Sequence, residues 1–188
     1  VLGIAMGTSQ AGGYVDANGN VTGWHNELAF VPVDYNPDST VDEWSGDYGC
    51  GVKYFSQDGV IKLAPLAGIE LDEKLSPAEK LKVVQKLMAE GDERAKKIYE
   101  NIGVYFGYGI AFYAEFYDIK HLIILGRVTS GIGGDTILEV CKETLEKESS
   151  AQSDYDKAIQ AHKNIDKLRR LCYNNIISLR TESSRSQS

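Results

Sequence analysis

Two neighbouring apolar segments constrain the fold of this chain most. Over residues 92–117, Ala95, Ile98, Tyr99, Ile102, Tyr105, Phe106, Ile110, Tyr113 and Phe116 recur at helical spacing. The second half of that helix is apolar nearly all round, so it belongs inside the protein rather than on its surface. The compact run His121-Leu122-Ile123-Ile124-Leu125-Gly126 follows, with the pattern of a buried parallel strand closed by a glycine. A buried helix feeding a buried strand implies layered packing, and the expected class is α/β with a mixed sheet and flanking helices. Gly103, Gly107, Ala111 and Ala114 form a small-residue stripe along the helix, which lets another backbone approach closely.

The remaining pattern fits that class. Residues 2–6 read as a strand, residues 7–13 as a glycine-rich turn, and residues 13–16 and 21–24 as two further strands around Asn18-Gly19. Residues 28–33 are another apolar stretch, and residues 35–49, rich in Pro, Asp, Ser and Gly, read as a loop. Ser76-Pro77-Ala78-Glu79 combines an N-cap serine, a proline at the first helical position and a glutamate three residues after the cap. The helix it opens carries Leu81, Val84, Leu87 and Met88 and stops at Gly91. Asp135 can cap a helix reaching about Lys147, a further helix is expected over 153–173, and 176–179 can form a last strand. Residues 1–180 are expected to form a single lobe, followed by a flexible polar tail over 181–188.

Charge and cysteine usage exclude several classes. Lys and Arg number 20 and Asp and Glu 27, giving a net charge of −7, which disfavours nucleic-acid binding through this chain. Three cysteines, Cys50, Cys141 and Cys172, are far apart and odd in number, so neither a disulfide framework nor a metal ribbon is expected. That usage suits a reducing compartment and a cytoplasmic location. No apolar run reaches the roughly 18 residues of a membrane helix, so no membrane association is expected. The chain opens on Val1-Leu2-Gly3-Ile4-Ala5-Met6, inside a strand pattern, so a piece of a longer protein is expected.

Three segments could carry chemistry. In Gly7-Thr8-Ser9-Gln10-Ala11-Gly12-Gly13, glycines free backbone N–H groups to face a phosphate, although an ordinary hairpin turn has the same composition. Gly126 and Gly131-Ile132-Gly133-Gly134 follow the apolar strand, at the carboxyl edge where open α/β sheets bind ligands, yet such turns also occur without one. Trp24-His25-Asn26-Glu27 joins an aromatic, an imidazole and a carboxylate, a set that suits sugar hydroxyls but also occurs as an inert surface cluster. His121 and His162 read as structural or solvated, and the charged face of residues 153–170 as a wet helix face. No nucleophile–base pair stands out.

In combination and in this order, the segments resemble the C-terminal lobe of the ROK family of sugar kinases and sugar-responsive repressors. Gly7 to Gly13 take the place of the family's G-T-G-x-G-G-G phosphate loop. Asn26-Glu27-Leu28-Ala29-Phe30-Val31 lie over its G-E-I-G-H-M motif, and residues 43–56 over its cysteine motif C-x-C-G-x-x-G-C-L-E-x-x-x-S. The resemblance covers about residues 1–147 and implies an actin-like, ribonuclease-H-like lobe. It further implies a hexose-type sugar held by Glu27 and ATP with magnesium. Phosphates would lie against Gly7, Thr8, Gly12 and Gly13, and the adenosine would be bordered by Gly126 and Arg127. A homodimer follows from the same likeness. The family's zinc ligands, one His and three Cys, fall on Phe30, Glu43, Ser45 and Cys50, so no zinc is expected and Phe30 is expected to replace ligation by packing. Two sugar-binding positions are Phe30 and Val52, which weakens the sugar site. The catalytic aspartate and first phosphate loop belong to the family's N-terminal lobe. No D-x-G-x-T segment occurs here, so this chain alone is expected not to transfer phosphate. A binding module without turnover, or a scaffold that keeps only the fold, are the alternatives.

Overall fold

The computed structural model describes residues 1–24 and 26–150. His25, Cys172, His162, the helix expected over 153–173, the strand over 176–179 and the tail lie outside the described residues.

The chain begins with β1 (Leu2–Met6) and β2 (Gln10–Tyr14), which pair antiparallel from Leu2↔Tyr14 to Met6↔Gln10. The third strand, β3 (Leu122–Leu125), adds to the other side of β1 in parallel, from Leu2↔Leu122 to Ala5↔Leu125. The sheet is therefore mixed, in the order β2-β1-β3. Between β2 and β3 run α1 (Gln57–Leu66), α2 (Pro77–Ala89) and α3 (Glu93–Tyr113), and α4 (Ile132–Ser150) follows β3. The α/β class with flanking helices is as the sequence implies.

The inward side chains of β1, namely Leu2, Ile4 and Met6, are fully buried. They join a core with Phe55, Tyr99, Phe106, Tyr113 and Ile137, in which the Phe55 and Phe106 rings meet edge to face at 5.3 Å. α2 starts as its sequence dictates: the Ser76 hydroxyl accepts from the Glu79 amide while the Glu79 carboxylate accepts from the Ser76 amide. α3 is capped by Asp92, whose carboxylate accepts from the Arg94 amide. The small-residue stripe works at two positions. A Cβ on Gly103 would lie 2.8 Å from Val140 Cβ, and one on Gly107 would lie 2.7 Å from Thr144 Cβ, so α4 packs directly on the α3 backbone.

Several boundaries differ from expectation. The glycine-rich turn is confined to residues 7–9, because Gly12 and Gly13 already pair with Ile4 and Gly3 inside β2. The expected strand over 21–24 is reduced to one bridge, Val15↔Val21. Asp16 is the reason: its carboxylate takes the Asn18 and Asn20 amides, closing a local loop before a ladder can extend. β3 is parallel as expected but not buried, since Ile123 and Leu125 remain 52% and 51% exposed at the edge of the described sheet. α3 ends at Tyr113 rather than near Tyr117, and α4 begins at Ile132, which leaves Asp135 inside its first turn instead of capping it. The sequence pattern missed α1 altogether, because Gly59 and Pro65 interrupt it. Its Ser56 cap, accepting from the Asp58 amide, was the available signal.

The close α3–α4 contact yields a direct test. Gly107→Leu forces a side chain into Thr144 and should cost about 1–3 kcal/mol by overpacking, read as a lowered midpoint in urea denaturation. An unchanged midpoint would show that the two helices are not in contact at that point.

Candidate functional site

Three turns meet at the carboxyl edge of β1. In the first, the Gly7 amide donates to the Ser9 carbonyl at 2.9 Å, and the Gly7 carbonyl in turn accepts from the Gln57 amide at 2.8 Å. That bond fixes the N-terminus of α1 beneath the turn. In the second, Gly126 follows β3 with φ of +109°, where a Cβ would lie 2.3 Å from the Met6 carbonyl oxygen. Only glycine combines that backbone with that approach. The Val128 amide then donates to the same Met6 carbonyl at 3.1 Å, drawing the third turn, residues 129–131, over the end of β1. Of the phosphate-loop positions, Gly7 and Thr8 are thus at this edge. Gly12 and Gly13 are not in the turn: a Cβ on Gly12 would meet Leu28 Cδ1 at 2.7 Å and the Asn26 carbonyl at 3.1 Å. Its role in the fold is to let the segment carrying Glu27 cross the sheet.

Beside this edge lies a cavity of about 140 Å³ lined by Gln85, Met88, Ala89, Tyr99 and residues 130–133. It is framed by α2, α3 and the first turn of α4. Gly133 makes it possible, because a Cβ there would lie 2.4 Å from the Tyr99 ring. Tyr99 is fully buried with its hydroxyl short of a hydrogen bond among the described residues, and burial holds that hydroxyl above its usual pKa. The Gln85 amide donates to the Arg127 carbonyl at 2.6 Å, tying α2 to the turn after β3 while the Arg127 side chain stays exposed. Gln85 and Tyr99 were missed in the sequence because each sits in an ordinary helical pattern and only the fold opposes them.

Glu27 is exposed, at the start of a 3-10 turn, Leu28–Phe30. The turn ends at Phe30, whose ring lies 5.5 Å from that of Trp44. Phe30 thus packs against an aromatic side chain of the loop over 34–50. The donor set there does not fit zinc: Phe30 and Ser45 provide no imidazole or thiolate, and one thiol, Cys50, is fully buried with its pKa pushed up by desolvation. No group of three or more His, Cys, Asp or Glu suited to a metal occurs among the described residues. Val52 lies in a second 3-10 turn, where its carbonyl accepts the Ser56 hydroxyl.

A lysine knits this corner together. The buried Lys53 ammonium pairs with Glu43, with Asp58 at 3.0 Å and with Asp42 at 3.6 Å. Burial alone would lower its pKa, but the bonds to Glu43 and Asp58 outweigh that and hold it above the ordinary lysine value. The Ser45 amide and Lys53 together hold Asp42 below the usual carboxylate range, and Lys53 does the same for Glu43. Deeper in, buried Asp34 accepts from Tyr54 Oη at 2.6 Å, while Lys62 donates to Thr40 and lies 4.2 Å over the Tyr54 ring. Desolvation pushes the Lys62 pKa down to about 8. These groups anchor the loop over 34–50 onto α1 and α3.

The lysine cluster has a pH signature. Carboxylates held below their unfolded pKa stabilise the fold above about pH 4 and lose that contribution as pH falls through their folded values. Lys53→Met should lower the thermal midpoint at pH 7, and the gap to the parent protein should narrow on acidification toward pH 3. A gap that is constant with pH would show that packing of the lysine stem, not its charge, is what matters.

No protein-family model matches the chain, and no curated protein matches it in sequence. Solved structures do. A ROK family glucokinase from Streptomyces griseus, crystallised with glucose and AMPPNP, matches at 20% identity with a TM-score of 0.61, over 78% of this chain and 49% of that one. A ROK hexokinase from Thermus thermophilus matches at 19% identity and a TM-score of 0.59, over 78% of this chain and 48% of that one. A ROK family transcriptional regulator, described as a homolog of the E. coli MLC protein, matches at 18% identity and a TM-score of 0.54, over 96% of this chain and 48% of that one. The chain spans about half the length of these proteins and has the fold of that half. Among the described residues, no helix is long and apolar enough to cross a membrane.

Proposed function

We propose that this chain is the C-terminal, actin-like lobe of a ROK-like sugar kinase, a protein that phosphorylates a hexose-type sugar with ATP and magnesium. The observation that carries the reading is the meeting of the Gly7–Ser9 and Gly126–Arg127 turns with the first turn of α4 at one sheet edge, beside a 140 Å³ cavity. Open α/β sheets bind ligands at this edge, and exposed amides at a helix N-terminus favour anionic groups. The cavity suits a nucleoside, with the Tyr99 hydroxyl and the Gln85 amide as its polar groups. Gly7, Thr8, Gly126 and Arg127 would face the phosphates and the adenosine's border, and Glu27 would accept a sugar hydroxyl. Gly12 and Gly13 would support the phosphate turn from within β2. ATP with magnesium, when bound, supplies the transferable phosphoryl group. This chain's residues orient the two substrates, and the base that takes the sugar proton comes from an N-terminal lobe. A homodimer and a cytoplasmic location belong to the same reading.

A regulator that senses sugar without turning it over is the second reading. Phe30 and Val52 favour it, because the apolar side chains at two sugar-facing positions leave hydroxyls without partners.

Two measurements separate these. Isothermal calorimetry with ATP–magnesium should show binding by the parent chain. Ala89→Trp, placed at the exposed rim of the cavity, should weaken it by about tenfold or more with an unchanged melting temperature. In a coupled assay of the full-length gene product, Glu27→Ala should raise the sugar KM by roughly tenfold with a smaller change in kcat. Sugar binding without turnover would favour the regulator, and no binding of either ligand would leave only the fold.

A further inference from the structure

The exposed ring of Trp24 is supported by two tyrosines. Its indole stacks on Tyr14 at 5.7 Å and 13°, and Tyr117 closes against both rings at 5.9 Å and 5.1 Å. Tyr14 is buried and its hydroxyl donates to the Asp118 carbonyl at 3.1 Å. Asn26 uses both ends of its amide here: Nδ2 donates to the Trp24 carbonyl at 3.0 Å, and Oδ1 accepts from the Tyr117 hydroxyl at 3.0 Å. One face of the indole is therefore covered and its backbone is tied down, yet the residue remains 58% exposed.

We infer that Trp24 is a stacking platform for a pyranose ring, whose flat C–H face covers the open indole while its hydroxyls reach Glu27, three residues along the chain. This rests on the sugar reading above and names the residue that selects the ring form. The chemistry fits a carbohydrate better than a nucleotide. A pyranose pairs an apolar face with a rim of hydroxyl donors, which an aromatic plane and a carboxylate three residues along the chain match. A nucleotide's phosphates would meet the Glu27 carboxylate as a like charge. Asn26 is a positioning residue, since both amide ends are spent on the platform itself. Preorganisation is what the arrangement contributes: a ring already held in place loses little freedom when a ligand covers it.

The test is saturation-transfer NMR on the full chain with D-glucose and N-acetylglucosamine, using open-chain sorbitol as the control. Transfer should concentrate on the ring C–H protons of the pyranoses and be absent for sorbitol. Trp24→Ala should weaken binding by about tenfold, equivalent to about 1.4 kcal/mol, and Trp24→Phe should restore part of it. The chain has two tryptophans, so in Trp44→Phe the emission of Trp24 alone should change saturably with pyranose. If the parent chain and Trp24→Ala bind equally while Glu27→Gln does not bind, the platform is overturned and the sugar reading stands. If the parent chain binds no pyranose, both fall. If Trp24→Ala instead dissociates a dimer seen by light scattering, the platform is overturned in favour of a contact between copies.

Discussion

The carbonyl of Met6 is the point on which the arrangement turns. It ends β1, the central strand, accepts the Val128 amide, and lies where residue 126 can have no side chain. Because β1 is paired on both sides, this end cannot shift without disturbing both ladders. Every element of the ligand edge is placed relative to it: the turn at Gly7 one residue on, α1 hung from the Gly7 carbonyl, and α4 launched from the turn that Gly126 starts. The site is thus made of backbone rather than of reactive side chains.

The corner formed by residues 30–58 is held by charged and aromatic side chains. The buried Lys53 ammonium gathers the adjacent Asp42 and Glu43 of the 34–50 loop and Asp58 of α1, and an aromatic pair spans Phe30 and Trp44. A lysine with three acidic partners satisfies its charge in several arrangements and responds to acid.

Much of this was legible in the residues. α2 announced itself through Ser76-Pro77, because capping is local and needs only a few adjacent side chains, and α3 through its apolar residues at helical spacing. β1 and β3 were legible as apolar runs, and the glycine stripe on α3 correctly implied a close neighbour. What failed was what depends on distant contacts. The exposure of β3 is decided by what lies beside the sheet, not by its own four residues. Asp16 ended a hairpin by satisfying two amides itself, and α1 is held by Gly7 and the Tyr54 region against its own glycine and proline. At the candidate site, Gly7, Thr8, Gly126 and Arg127 are brought to one edge, whereas Gly12 and Gly13 belong to the strand. Gln85, Tyr99 and Lys53 carry no motif, since a polar residue in a helix reads the same whether it faces water or a cavity.

The seam between α3 and α4 has a mechanical consequence. With glycines facing Val140 and Thr144, the two helices meet without the long, pliable side chains that allow packed elements to slip. They form one stiff lever, with Gly133 and the cavity at one end and Thr144 toward the other. A push delivered at the cavity is then carried along the helix, and a change at the far end is felt at the cavity in return.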